Sequence, residues 1–292
     1  MRRGADATRK LRRRISPGTA GGSDSRAAGE HQDRQPAALR RKLKRARADL
    51  ESVRSELRAT RASVRDPNPG VVISERLDQV VDSVLELKLT YLKKVDLLML
   101  ARLVRETEES GRPGLIIEAG AARGGSAIVL GAAKSPERRL NVYDVFGMIP
   151  PPSDSDGPDV HARYDKIVRG ESRGVGGETY YGYREDLYDE VTASFASMGV
   201  PVEANNVSLV RGLFQDTVDI DEPVAVAHLD GDWYESTMTC LERIAPHLVP
   251  GGRIVLDDYY AWSGCRRAVD EYFAGRPGFQ VEMRSKVHVV RL

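Results

Sequence analysis

Leu115-Ile-Ile-Glu-Ala119 runs directly into Gly120-Ala-Ala-Arg-Gly124-Gly125-Ser126. A short apolar run bounded by glycines reads as a buried strand, and the apolar residues from Ser126 to about Ala133 read as the helix it feeds. The same alternation continues outward. Leu140-Asn-Val-Tyr-Asp144, Ser208-Leu-Val-Arg211, Ala225-Val-Ala-His-Leu-Asp230 and Arg253-Ile-Val-Leu-Asp257 have strand character, with helical segments near 234–248 and 264–274. The final runs, Phe279-Gln-Val-Glu-Met283 and Val287-His-Val-Val-Arg291, read as an antiparallel edge hairpin. Alternating strands and helices predict an α/β protein with a doubly wound, Rossmann-like, mostly parallel sheet. Such sheets bind ligands outside the carboxyl ends of their strands, so candidate residues are sought there.

Outside this body the chain changes character. Of 292 residues, 41% are hydrophobic and 30% charged, which suits a globular core. Positions 1–65 carry 19 Lys+Arg against 7 Asp+Glu, net +12, and the remainder carries 25 against 36, net −11. Residues 1–36 have too little apolar content to offset their ordering entropy and read as a disordered basic tail. Over 37–66, Leu43, Leu50, Leu57 and Val64 recur every seven residues, with Leu39, Ala46, Val53 and Thr60 in a weaker second register. That is a heptad seam that can pair two copies of the chain, though Ala46, Thr60 and the dense positive charge weaken it. Asp66-Pro-Asn-Pro-Gly70 ends it. Residues 67–114 then read as a linker and two amphipathic helices, and 115–292 as the main domain. No apolar run approaches the roughly 18 residues of a spanning helix. Two cysteines, Cys240 and Cys265, suggest a reducing, cytoplasmic setting.

Residues 146–206 interrupt the alternation with Pro150-Pro-Pro152, acids at 154, 156 and 159, Gly174-Val-Gly-Gly177 and the tyrosines 180, 181 and 183. A long insertion at the ligand edge of a sheet is expected to act as a lid or substrate-binding element. The glycine turn, entering a helix, suits close backbone approach and offers amide donors to an anionic group. It is not the dinucleotide fingerprint, because Ala122 occupies the second glycine position. Asp144 ends the next strand, where an acid can accept ribose hydroxyl protons. His228-Leu-Asp230-Gly-Asp232-Trp-Tyr-Glu235 and Leu256-Asp257-Asp258-Tyr259 are the most informative stretches. Asp230, Asp257 and Asp258 would converge if their strands are neighbours, about 4.8 Å apart. Their repulsion favours a hard divalent cation such as Mg²⁺ over zinc. Asp232 with Glu235 alternatively fits a variant capping box for the following helix. His228 is expected to be buried mid-strand, leaving zinc and Ser-His-Asp chemistry unsupported.

With these residues in place, the segment from about Leu89 to Val269 resembles the macrocin O-methyltransferase family, S-adenosylmethionine-dependent enzymes that methylate sugar hydroxyls. The resemblance rests on the Glu118–Ser126 turn, the Asp144 strand end, Arg211-Gly-Leu-Phe-Gln-Asp-Thr217, Leu229-Asp-Gly-Asp-Trp-Tyr234 and Gly251-Gly through Asp257-Asp-Tyr259. It implies Mg²⁺ at Asp230, Asp257 and Asp258, and Asp232 as general base. It also implies cofactor contacts from Glu118, Gly120, Arg123, Gly124, Ser126, Asp144, Gly212 and Asp230. Where the family commonly continues as Ser-Phe-x-Gly-Leu-Pro, this chain reads Val145-Phe-Gly-Met-Ile-Pro150.

The resemblance implies a sugar or glycoside as the small-molecule partner. The same carboxylates would also serve a catechol-like phenol. A third, non-catalytic reading uses the basic arm to bind a polyanion, without the aromatics or base-reading motifs of sequence-specific nucleic-acid recognition. If the arm is a polyanion tether, the full chain retards on heparin at low salt and releases at high salt. A chain beginning at Val71 does not.

Overall fold

The computed structural model describes residues 71–292, together with Arg40, Lys42, Leu43, Lys44 and Arg47, which are helical and exposed. The expected tail over 1–36 and most of the heptad segment lie outside the described residues. α1 (Glu75–Glu86) begins at Ser74, whose hydroxyl accepts from the Leu77 amide at 3.3 Å. Leu77, Val80, Val81 and Val84 repeat at helical spacing and are buried. α2 (Lys94–Glu109) follows.

The remaining elements are β1 (Leu115–Ala119), α3 (Gly125–Ala133), β2 (Leu140–Asp144), α4 (Pro158–Val168), α5 (Leu187–Ser197), β3 (Val207–Arg211), the short α6 (Phe214–Thr217), β4 (Val224–Leu229), α7 (Tyr234–Ile244), β5 (Leu248–Leu256), α8 (Ser263–Phe273), β6 (Phe279–Met283) and β7 (Val287–Arg291); the strands follow the sequence pattern, and α4 and α6 are helices it did not include. They form one seven-stranded sheet in the order β3-β2-β1-β4-β5-β7-β6. β1 to β5 are parallel, and β7 is antiparallel to both β5 and β6. The order reverses between β1 and β4, so the topological switch lies at their carboxyl ends.

β1 and β4 are buried along their whole length, as strands covered on both faces must be. One face is covered by α1, α2, α3 and α5, through residues such as Val81, Leu97, Ile128 and Phe195. The other is covered by α7 and α8, through Cys240, Leu241, Ile244 and Val269. Both cysteines are buried and unpaired with one another, and no helix among the described residues is long and apolar enough to cross a membrane.

Two expectations change. β5 begins at Leu248, before Gly251-Gly252, because Leu248 pairs with Val224 before the register shifts. The second half of the insertion is not a lid: α5 buries Leu187, Val191 and Phe195 in the core, so it is part of the layer covering the sheet. The rest of the insertion precedes α5. Within it, Tyr180 is buried with Ile149, Val160 and Ile167 against Trp233 in a small separate cluster.

His288 on β7 is buried, and neither ring nitrogen has a hydrogen-bond partner. Burial, reinforced by Arg284 and Arg253, pushes its pKa down from 6.5 to about 3. The unfolded chain therefore takes up this proton first as pH falls, and stability drops by up to about 1.4 kcal/mol per pH unit below 6.5. His288→Leu removes that proton. Between pH 7 and pH 5 the variant should lose about 1–2 kcal/mol less than the wild type, measured by urea unfolding.

Candidate active site

β4 and β5 end in register, Leu229 opposite Leu256, so the residues that follow each strand are neighbours. The Asp230 amide donates to the Ala119 carbonyl at 2.8 Å and the Asp257 amide to the Leu229 carbonyl at 2.9 Å, extending the ladder by one step. The chain then turns, and Asp258 comes back beside them. Asp230, Asp257 and Asp258 each present an oxygen, and these three atoms lie within 4.8 Å of one another. Asp232 completes the group. Its backbone is left-handed, φ +57°, and its amide donates to Asp258 Oδ2 at 2.9 Å. It does not cap α7, whose N-cap position is Trp233 with no side-chain cap bond.

Crowding these carboxylates out of water has an electrostatic cost. Burial, and then the charges of Asp258, Asp257 and Asp232, raise the Asp230 pKa well above the ordinary range. Burial and the Asp258 charge do the same to Asp232, while Trp262 and Arg163 oppose them. Burial and Asp257 lift Asp258 to about 6. Asp257 goes the other way: burial is outweighed by His228 and Lys286, and its pKa falls. Oxygen donors that raise one another's proton affinity fit a hard divalent cation, which would relieve the repulsion.

Behind this cluster runs a buried polar chain. Glu118 accepts from Ser126 Oγ and meets His228 Nδ1 at 2.9 Å. On the other side of the ring, His228 Nε2 is 3.6 Å from Asp257 Oδ1. Burial opposes charge on His228, but Glu118 and Asp257 prevail and lift its pKa to about 10. The histidine that sequence reasoning set aside is therefore the cation that ties the glycine-turn acid to the carboxylate cluster.

The carboxylates face a cavity of about 270 Å³ at the switch point. Gly120, Asp144, Asp230, Asp232, Asp257 and Asp258 line it. Tyr91, Tyr180, Tyr181, Trp233 and Trp262 supply aromatic walls, and Arg163 a cation. Gly120 has φ +94°, and a Cβ there would meet the Asp230 carbonyl oxygen at 1.9 Å. Asp144 does more than face the cavity: Oδ2 accepts from the Ala121 and Ala122 amides and Oδ1 from Phe146, bracing the glycine turn.

Glu118, Arg123, Gly124, Ser126 and Gly212 are not among the lining residues. Glu118 and Ser126 bond to one another. Arg123 donates to the Lys88 carbonyl and pairs with Glu178 at 3.3 Å. Gly124 makes room for Val191, Gly125 for the Leu89 carbonyl and Gly212 for Thr217. The Gly125 amide, expected to be free for an anion, donates to Leu89 O at 3.0 Å. These glycines admit the protein's own backbone and side chains.

Residues 86–282 match the family described as macrocin-O-methyltransferase (TylF). The chain belongs to this family. Among curated members it is 37% identical over 174 residues to the 8-demethyl-8-(2,3-dimethoxy-alpha-L-rhamnosyl)-tetracenomycin-C 4'-O-methyltransferase of Streptomyces olivaceus, covering 58% of this chain and 60% of that one. It is 31% identical over 183 residues to the mycinamicin III 3''-O-methyltransferase of Micromonospora griseorubida, covering 58% and 64%. The chain spans about six tenths of the length of these curated relatives. Among solved structures, the O-methyltransferase NovP shares the fold, with TM-score 0.59 at 22% identity over 74% of this chain and 96% of that one. The calicheamicin methyltransferase CalS11 gives 0.52 at 18% over 78% and 96%.

The macrocin-O-methyltransferase match takes in both aspartate-bearing strand ends, but sequence reasoning missed how the insertion is fastened to them. α7 and α8 have no local side-chain caps. Asp156 Oδ1 accepts from the Tyr234 amide at 2.8 Å, and Asp159 Oδ2 from the Ser263 amide at 2.9 Å. Two insertion acids thus occupy the positive ends of two helices of the sheet layer. Trp233 Nε1 adds a bond to Pro150 O at 2.9 Å. The only sequence signal was the run of acids at 154, 156 and 159. Asp156→Ala should cost about 1–2 kcal/mol in urea unfolding, and Asp156→Asn clearly less, because an amide oxygen still caps.

Proposed function

We propose that this chain transfers a methyl group from S-adenosylmethionine to a hydroxyl of a sugar on a small molecule. The observation that carries the reading is four carboxylates at adjacent strand ends, opening on an aromatic-walled cavity, in a member of the macrocin-O-methyltransferase family. Relatives named for methylating a rhamnosyl-tetracenomycin and mycinamicin support a glycosylated acceptor.

When bound, the cofactor supplies an already activated methyl group and a divalent ion such as Mg²⁺ supplies a Lewis acid for the acceptor oxygens. Asp230, Asp257 and Asp258 would hold the ion. Gly120, whose missing Cβ lets the glycine turn close against the Asp230 backbone, would border the cofactor, and Asp144, with lone pairs to spare beyond its three amide bonds, can receive ribose hydroxyls. Asp232 takes the acceptor proton. Its left-handed backbone aims the carboxylate into the cavity, and the same crowding that raises its proton affinity suits a general base. Residues 145–186 carry Ile149, Arg163, Tyr180 and Tyr181 to the cavity wall and act as the acceptor-binding element, excluding water from the transfer.

The test offers labelled S-adenosylmethionine with a panel of deoxysugar glycosides and catechols to the full chain. Glycosides gain label and catechols do not; the reverse result would move the acceptor to the phenol class. Asp232→Asn should retain cofactor binding and lose methyl transfer by about 10²–10⁴-fold. Excess chelator should abolish turnover, and undiminished activity in chelator would remove the metal from the reaction.

A further inference from the structure

Asp257 is shared between the carboxylate cluster and a lysine that the family match does not reach. Lys286 lies in the β6–β7 turn, just past the matched segment 86–282. Its Nζ stands 2.6 Å from Asp257 Oδ1 and donates to the Asp257 carbonyl at 3.2 Å. Both side chains are largely buried, at 17% and 16% exposure. The oxygen is buried, and two positive groups face it, Lys286 Nζ at 2.6 Å and His228 Nε2 at 3.6 Å.

We propose that Lys286 is a built-in cation that neutralises Asp257 in the metal-free protein and competes with a divalent ion for the cluster, setting its affinity low. The inference rests on the metal reading above. Three oxygens within 4.8 Å need positive charge nearby, and Lys286 supplies one unit of it to one of them. An ion entering beside Asp257 must displace the ammonium or lie within a few ångströms of it. Lys286 also has its own hold on the Asp257 backbone carbonyl, so it stays close after losing the carboxylate. Like charges at that separation in a partly buried site repel strongly. A metal site built in this way loads its ion readily only when further oxygen donors, such as those of an acceptor, join the three carboxylates.

The experiment titrates Mn²⁺ into the purified full chain without cofactor or acceptor, reading free ion by electron paramagnetic resonance. Lys286→Met should bind Mn²⁺ about tenfold or more tightly than the wild type, while Lys286→Arg, which keeps the charge, stays near wild type. Lys286→Gln replaces the Met variant if that chain fails to fold, as judged by circular dichroism. Equal or weaker binding in the neutral variants overturns the proposal and makes Lys286 a support for Asp257. If no variant binds Mn²⁺ at millimolar concentration and methyl transfer survives chelator, the metal reading falls and this inference with it. If transfer is chelator-sensitive but the variants bind alike, only the role of Lys286 falls.

Discussion

Like charge gathered at one rim of the sheet constrains everything around it. Asp230, Asp257 and Asp258 occupy neighbouring strand ends because β4 and β5 are parallel and in register, and Asp232 is folded back over them by a left-handed residue. Carboxylates this close and this buried hold protons or cations, and the molecule meets part of that demand itself. His228 and Lys286 place positive charge on Asp257. The acids that they do not touch have raised proton affinities. One carboxylate is thus already paired with the protein's own cations, while the other three raise one another's proton affinity.

The buried chain from Ser126 through Glu118 and His228 to Asp257 links the glycine turn to this rim. A charged pair inside a sheet is tolerated only when its partners are fixed, and here they are side chains of adjacent strands, β1 and β4. Glu118 and Asp144, both acids at or near strand ends, therefore do different work. Glu118 faces inward to His228, while Asp144 braces the turn and still borders the cavity.

The insertion is joined to the body by polar groups at helix starts. Asp156 and Asp159 meet the first amides of α7 and α8, and Trp233 contributes its indole to Pro150. Because α7 starts two residues after Asp232, the same contacts that hold the insertion also fix the backbone carrying that aspartate. The acceptor-facing wall and the carboxylate rim thus share their anchors.

Much of this was legible beforehand. Period and punctuation placed the strands that build the sheet, since a strand covered on both faces must be a continuous apolar run, as Leu115–Ala119 and Val224–Leu229 are. Acids directly after two such runs announced a carboxylate rim, because parallel neighbours end on the same edge. What local pattern could not convey was pairing across distance. Asp156 looks like a solvated loop acid until Tyr234, 78 residues away, presents its amide. His228 looks like a lone core histidine until Glu118, 110 residues away, faces it. Glycines after a strand signal that something comes close, but only the packed structure shows that at Gly124 and Gly125 it is Val191 and the Leu89 carbonyl. Sequence by itself determined which residues are apolar, which are charged and where the chain turns. Tertiary structure alone decided which charges meet, because the strength of a buried charge's partners depends on separation and burial, and neither is a property of neighbours in sequence.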